Sequence, residues 1–194
     1  LYSSNRPDLQ IALRENLALQ AIDNLSILLK EMYPLQNNGD LPNLEDLLNI
    51  VRLTGKYAVP IPFAETTLAN YLLEYTNLQV VDGPATYMLA TDQAFTLEDG
   101  KLTGEAVHVH WARHTNRLVT LATSATGTQL VEIDLSQANI TPGANLASEP
   151  RDTVTFKQAT VSQVSAALSF DEMRTMITLE TAFQLALMTG AIDK

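Results

Sequence analysis

The sequence predicts an α+β protein of several parts: an N-terminal helical domain, a middle antiparallel β-barrel or sandwich domain, and the start of a C-terminal helical bundle. Three observations carry this reading. Apolar residues recur at threes and fours as far as about Tyr75, short β-branched and aromatic runs separated by turn signals follow from Gln79, and an apolar helical pattern returns at Phe170. The changes of period set the boundaries at 1–78, 79–166 and 167–194.

Each element follows from local chemistry. Leu9, Leu13, Leu17, Ala21, Leu25, Leu28 and Met32 form one helical stripe over Pro7 to Met32, with Pro7 suited to the first turn and Pro34 with Asn37-Asn38-Gly39 ending it. Asn43 is a natural cap for a second helix, with Glu45 and Asp46 in its first turn, Leu44, Leu47, Leu48 and Val51 as its inner face, and Gly55 as its expected stop. Pro60 and Pro62 keep the next segment extended, and a third helix runs from Phe63 to about Tyr75 with Leu68, Leu72 and Tyr75 on its apolar stripe.

Strands are expected at Gln79–Val81, Thr86–Leu89, Ala94–Leu97, Leu102–Trp111, Arg117–Ala122, Gln129–Ile133 and Thr153–Phe156. Asp99-Gly100 marks a tight hairpin, and Ala125 to Thr128 and Thr141-Pro142-Gly143 mark two further turns. In the longest strand, strict alternation puts Val107, Val109 and Trp111 on one face and Ala106, His108 and His110 on the other. Beyond Phe170, with Asp171 as the expected cap, apolar residues crowd nearly every side of the helix, which predicts burial on nearly all sides.

Composition narrows the function. With 46% hydrophobic residues in 194, the chain can bury a sizeable core. A net charge of −10 disfavours nucleic acid, whose phosphates need a surplus of lysine and arginine. The absence of cysteine removes disulfides, thiolate ligands and a cysteine nucleophile. No run of about eighteen apolar residues suggests a membrane span, and LYSSNRPDLQ lacks a signal-peptide pattern, so a cytoplasmic protein is expected. A start at leucine and an end inside an apolar pattern suggest a processed, trimmed or incomplete polypeptide.

Four strings in order, Val59-Pro60-Ile61-Pro62-Phe63-Ala64-Glu65-Thr66-Thr67-Leu68-Ala69, Asp99 to Gly104, Asn145 to Phe156, and Ala182 to Ile192, together resemble the acyl-CoA dehydrogenase family over most of the chain from Gly39. The resemblance implies FAD held between the β domain and a C-terminal bundle, an acyl-CoA thioester beside the flavin, and electrons passed to an electron-transferring flavoprotein. It also implies a homologous subunit, in a homo- or hetero-oligomer. Gly104 to His110 fall where the family sets an aromatic residue, isoleucine and a hydroxyl residue against the flavin, so His108, Val109 and His110 are implied cofactor contacts. Ala90 and Thr91 fall near the family's strand that touches the ring and the acyl-CoA. The Gly- and Ser-containing loop expected after them is missing, Asn38 to Pro42 is a shortened remnant of a longer family segment, and the region holding the catalytic glutamate is not in this chain.

Taken without the resemblance, the polar residues assign no chemistry. Three histidines, His108, His110 and His114, fall short of a converging metal-ligand set, and cleft-lining or solvent roles fit them better. Glu65 is favoured at a helix start by the dipole, Arg151 by a surface ion pair, and Trp111 by core packing. The leading expectation is FAD-dependent α,β-dehydrogenation of an acyl-CoA. The alternatives are a noncatalytic partner subunit of the same architecture and a small-ligand binding module.

Overall fold

A computed structural model describes residues 43–89 and 95–193. The helix expected over Pro7 to Met32, the remnant at Asn38 to Pro42, and the expected contacts Ala90 and Thr91 lie outside the described residues. Three α-helices are described, α1 (Leu44–Lys56), α2 (Phe63–Tyr75) and α3 (Phe170–Ile192). The strands are β1 (Ala85–Met88), β2 (Thr96–Glu98), β3 (Lys101–His110), β4 (Arg117–Ser124), β5 (Gly127–Asp134), β6 (Asn139–Thr141), β7 (Arg151–Thr160) and β8 (Gln163–Val164).

The helices begin as side-chain chemistry dictates. Asn43 caps α1, its Oδ1 accepting the Glu45 N–H at 3.0 Å. At α3 the cap is Ser169, not Asp171: its hydroxyl accepts the Glu172 N–H at 3.2 Å while the Glu172 carboxylate accepts the Ser169 N–H at 2.7 Å. This reciprocal box satisfies two end donors at once, which Asp171, one residue inside the helix, cannot do. Helix α2 is buried on every residue from Phe63 to Leu73, so its polar members carry tertiary bonds. Thr66 Oγ1 accepts the Ala85 N–H at 3.1 Å and donates to the Ala85 carbonyl at 3.0 Å.

The same device explains why Gln79–Val81 is not the expected strand. The Asn70 amide takes the place of a neighbouring strand, accepting the Val81 N–H at 2.9 Å and donating to its carbonyl at 3.4 Å. Gln163 does likewise for Gln79. These backbone groups are satisfied by side-chain amides, so no ladder forms.

The eight strands follow the order β6-β7-β3-β2-β4-β5-β8, with β1 beside β4. The sheet is mixed: β1 and β2 each pair parallel to β4, where sequence patterning had suggested antiparallel pairing throughout. Asp99 and Gly100 turn β2 into β3 with φ of 50° and 72°, the two positive values that a two-residue hairpin needs. Asn139 to Thr141 form β6 ahead of Pro142, where only a turn was expected.

Strand β4 divides two cores. Val119 and Leu121 join Leu47, Val51, Leu68, Leu72, Tyr87 and Phe183 in a core between the helices and the sheet. Leu118 and Ala122 join Leu102, Val109, Val131, Ile133, Val154 and Phe156 in a second core made almost wholly of sheet residues. Because β7 and β5, far apart in the strand order, meet in this second core, the sheet must curl upon itself. Phe95 and Phe156, with ring centroids 5.9 Å apart, fill it.

Helix α3 departs from the expectation of all-round burial. Met176, Leu179, Phe183 and Gly190 are buried, whereas Phe170, Ile177, Leu185, Met188 and Ile192 are exposed. By length and composition it is long and apolar enough to cross a bilayer, contrary to the reading of the bare sequence, yet one side of it packs into a protein core. Its crossing with α1 is close. A Cβ on Gly190 would stand 1.8 Å from the Arg52 carbonyl oxygen, and one on Gly55 would stand 2.1 Å from that of Leu187. Gly55 therefore lies within α1 for clearance, not as the stop that its position suggested. The Gly190→Ala variant should lose on the order of 1–3 kcal/mol by forcing the helices apart, read as a lower urea midpoint with unchanged slope.

Candidate functional site

The long strand β3 does not keep strict alternation, and this sets the site. Between Leu102 and Gly104 the register against β7 gains a residue on β7, with Gln158 at φ 55°; between Ala106 and Val109 it gains one on β3, with His108 at φ 60°. The two bulges cancel, so His110 faces Arg151 in the same register that pairs Lys101 with Thr160. Ala106 and Val109 enter the core, and Val107 and His108 are exposed. This corrects the expectation that Val107 packs beside Val109 and that Ala106 shares the face of the histidines.

At the end of β3 the chain turns at Trp111, whose φ of 55° is left-handed, into one turn of 3-10 helix at Ala112–His114. Asp152, wholly buried, holds this turn. Its carboxylate accepts the Arg113 N–H at 2.9 Å, the Arg113 guanidinium at 2.6 Å and the Gly143 N–H at 3.0 Å. Arg113 also donates to the Gly143 carbonyl at 3.1 Å, so the turn and the 143–150 loop are fastened together. Replacing Asp152 with alanine leaves the guanidinium, itself mostly covered, without its counter-charge, and should cost roughly 3 kcal/mol in denaturant unfolding.

Beside this turn lies a cleft of about 780 Å³. One wall is apolar, from Val59, Pro60, Ile61, Ala64, Leu187 and Met188; the other carries His110, Trp111, Arg113, His114, Glu149 and Arg151. Glu65, almost fully buried at the first turn of α2, places Oε1 3.3 Å from His110 Nδ1. The His110 backbone is fixed in turn, its carbonyl accepting the Thr86 hydroxyl at 2.6 Å. Glu65 is thus more than a helix-dipole residue. Its pairing is formed across 45 positions and has no local signature in the sequence.

Helix α3 lines the cleft as well, through Gln184, Leu187 and Met188. Gln184 Nε2 donates to the Tyr87 hydroxyl at 3.1 Å. Burial, with Glu180 nearby, pushes the Tyr87 hydroxyl well above the usual phenol range. Burial also raises the Glu180 carboxyl, against the opposing pull of His110. A carboxyl whose folded pKa is raised favours the fold when protonated, so its contribution is lost as pH rises from the ordinary value of 4.5 through the folded value. The Glu180→Gln variant should therefore unfold at higher urea than wild type at neutral pH, with the gap closing below about pH 4.

Of the expected cofactor contacts, His110 lines the cleft, Val109 lies in the core beneath it, and His108 sits exposed on the bulge and is not among the lining residues. His114 lines the cleft with its ring 6.0 Å from that of Trp111. Arg151 pairs with Glu149 at 3.1 Å, the surface ion pair anticipated, and it too lines the cleft. Among the described residues no group of three or more metal-ligating side chains converges. Trp111, Gln184 and the Glu65–His110 pair were not legible as one site, because they come from four separate elements.

No family model matches the sequence, and no curated protein matches it. Solved structures do match the fold. A steroid ACAD variant, Tcur3481-Tcur3483, aligns with a TM-score of 0.58 at 17% identity, over 78% of this chain and 48% of that one. The ChsE4-ChsE5 complex from Mycobacterium tuberculosis aligns with a TM-score of 0.59 at 16% identity, over 74% of this chain and 46% of that one. An FAD complex of PigA aligns with a TM-score of 0.57 at 14% identity, over 77% and 50%. The chain spans about half the length of these structures. Its fold is acyl-CoA dehydrogenase-like.

Proposed function

We propose that this chain forms part of a flavin-binding, acyl-CoA dehydrogenase-like protein, with the cleft beside His110 as its cofactor and substrate face. The observation that supports the reading is the position of that cleft, between the end of β3 and α3, in a fold whose solved neighbours include flavoproteins. The lining fits a flavin ring system. Trp111 and two imidazoles offer flat surfaces, His110 and Gln184 offer polar edges, and the volume is within the range of about 300–1,000 Å³ typical of small-molecule sites. Bound there, a flavin would supply a hydride acceptor for α,β-dehydrogenation of an acyl-CoA.

The chain's own residues would do the rest. Ile61, Ala64, Leu187 and Met188 keep water from one wall, His110 is oriented by Glu65, and Asp152 holds the turn that carries Trp111 and Arg113. Of the five implied contacts, this reading keeps His110 against the ring and Val109 as its support from the core; Ala90, Thr91 and His108 remain proposed contacts of the wider site. The divisions at 78/79 and 166/167 belong to the same reading, as do a cytoplasmic setting and an electron-transferring flavoprotein as electron acceptor.

A second reading has its own support. Arg113 and Arg151, the two arginines at the cleft, are each paired with a carboxylate, which leaves a dinucleotide's diphosphate little positive charge to meet. The exposed apolar side of α3 and the fold's likeness to a two-protein complex fit a subunit that shares its site with a homologous partner. Visible absorption separates the two. A yellow protein that bleaches with an acyl-CoA and loses its colour in the His110→Ala variant is expected from the first reading. A colourless chain that turns yellow only in complex with a homologous subunit favours the second, and a colourless chain in both conditions defeats flavin binding altogether.

A further inference from the structure

His110 is more tightly specified than a cleft-lining residue needs to be. Its Nδ1 lies 3.3 Å from Oε1 of Glu65, its carbonyl holds the Thr86 hydroxyl, and its side chain keeps 26% of its surface exposed while that of Glu65 keeps 8%. A carboxylate on Nδ1 fixes the tautomer that carries its proton there, leaving Nε2 as the ring nitrogen with a free lone pair. The surroundings are not ionic overall. Both arginines of the lining are already paired with carboxylates, Arg113 with Asp152 and Arg151 with Glu149, so neither offers a free positive charge with which to select an anion. The rest of the lining is largely apolar: Val59, Pro60, Ile61 and Ala64 from the α1–α2 connection and α2, and Leu187 and Met188 from α3.

We infer that the Glu65–His110 pair is a hydrogen-bond-accepting site for the hydroxyl group of an otherwise apolar ligand, an alcohol or phenol lying along that lining. The inference rests on the reading of this cleft as a ligand site and does not depend on flavin being the cofactor. The hydroxyl donates to Nε2, the Nδ1–H donates to Glu65, and the carboxylate meets the partial charge that the imidazole gains. The titratable and charged groups around the pair are Arg151, opposite His110 in the ladder, Arg113, His114 and Glu149 of the lining, the half-buried Glu180 on α3, and the buried Tyr87 on β1, whose hydroxyl accepts from Gln184. Glu65 acts through the imidazole and is a positioning residue; His110 is the group that meets the ligand.

The test compares two probes of nearly equal apolar area, 2-naphthol and 2-methoxynaphthalene, of which only the first can donate. Calorimetry on the full chain should give 2-naphthol about tenfold tighter binding, the effect of one net hydrogen bond. The preference should vanish in His110→Phe and in Glu65→Gln and persist in Lys157→Gln, an exposed position on β7 outside the cleft lining. Nitrogen-15 NMR should find the His110 proton on Nδ1 in wild type and shifted towards Nε2 in Glu65→Gln, a change that loss of packing alone does not produce. Equal affinity for the two probes, binding of neither, a preference that survives His110→Phe, or a wild-type proton on Nε2 would each overturn the proposal. A colourless protein with the naphthol preference intact would defeat the flavin reading alone.

Discussion

The close crossing of α1 and α3 is the constraint on which the rest of the molecule depends. Two glycines, Gly55 and Gly190, each face a carbonyl of the opposite helix, and no side chain fits at either point. Their absence of Cβ atoms lets two backbones touch, which brings Phe183 and Met176 down onto Val51 and the sheet core and sets Leu187 and Met188 beside the mouth of the cleft. The apolar wall of the site is therefore a by-product of helix packing. Any change that lifts α3 lowers stability and opens the cleft together.

The polar wall has a different origin. Two bulges of opposite sense in the β3–β7 ladder bend the strands and then restore the register, so that the far end of β3 is both re-aimed and still paired. The non-glycine residues His108 and Gln158 sit at positive φ to make this possible, a local cost that the long pairing offsets. Asp152, next to Arg151 on β7, then fastens the left-handed turn at Trp111 through backbone and guanidinium donors. Rigid ladder, compensated bulge and buried carboxylate together deliver His110, Trp111, Arg113 and His114 to one side of the cleft.

This division explains what could be read from the residues beforehand. The helix spans at Leu44–Lys56 and Phe63–Tyr75, the Asp99-Gly100 hairpin and the strands around Arg117 to Ile133 follow from period, caps and turn chemistry, which are local. The likeness carried by Val59 to Ala69 and its companion strings anticipated the fold that the solved structures share. What stayed hidden was non-local. Asn70 and Gln163 supply bonds that a strand would otherwise supply, the parallel pairing of β1 and β2 with β4 leaves no mark in segments of four and three residues, and the second bulge, at His108, has no glycine to mark it, although Gly104 borders the first. Glu65 looked like a helix-start residue because the dipole favours it there whether or not a histidine waits 45 positions away.

The two sides of α3 bear on how such a site is completed. One side is tied down by buried aromatic and sulfur-bearing residues, while Phe170, Ile177, Leu185, Met188 and Ile192 remain in solvent on the other. Met188 belongs to both stories, since it lines the cleft and is itself exposed. Covering that side would remove apolar area from water, which is favourable, and would also deepen the cleft by adding material beside Met188. A burial-driven contact at α3 would thus reach the lining of the same cleft that holds the Glu65–His110 pair. Lower local dielectric strengthens a hydrogen bond such as the one between Glu65 and His110, so covering the exposed side of α3 would act on that pair without any change in the fold of the sheet.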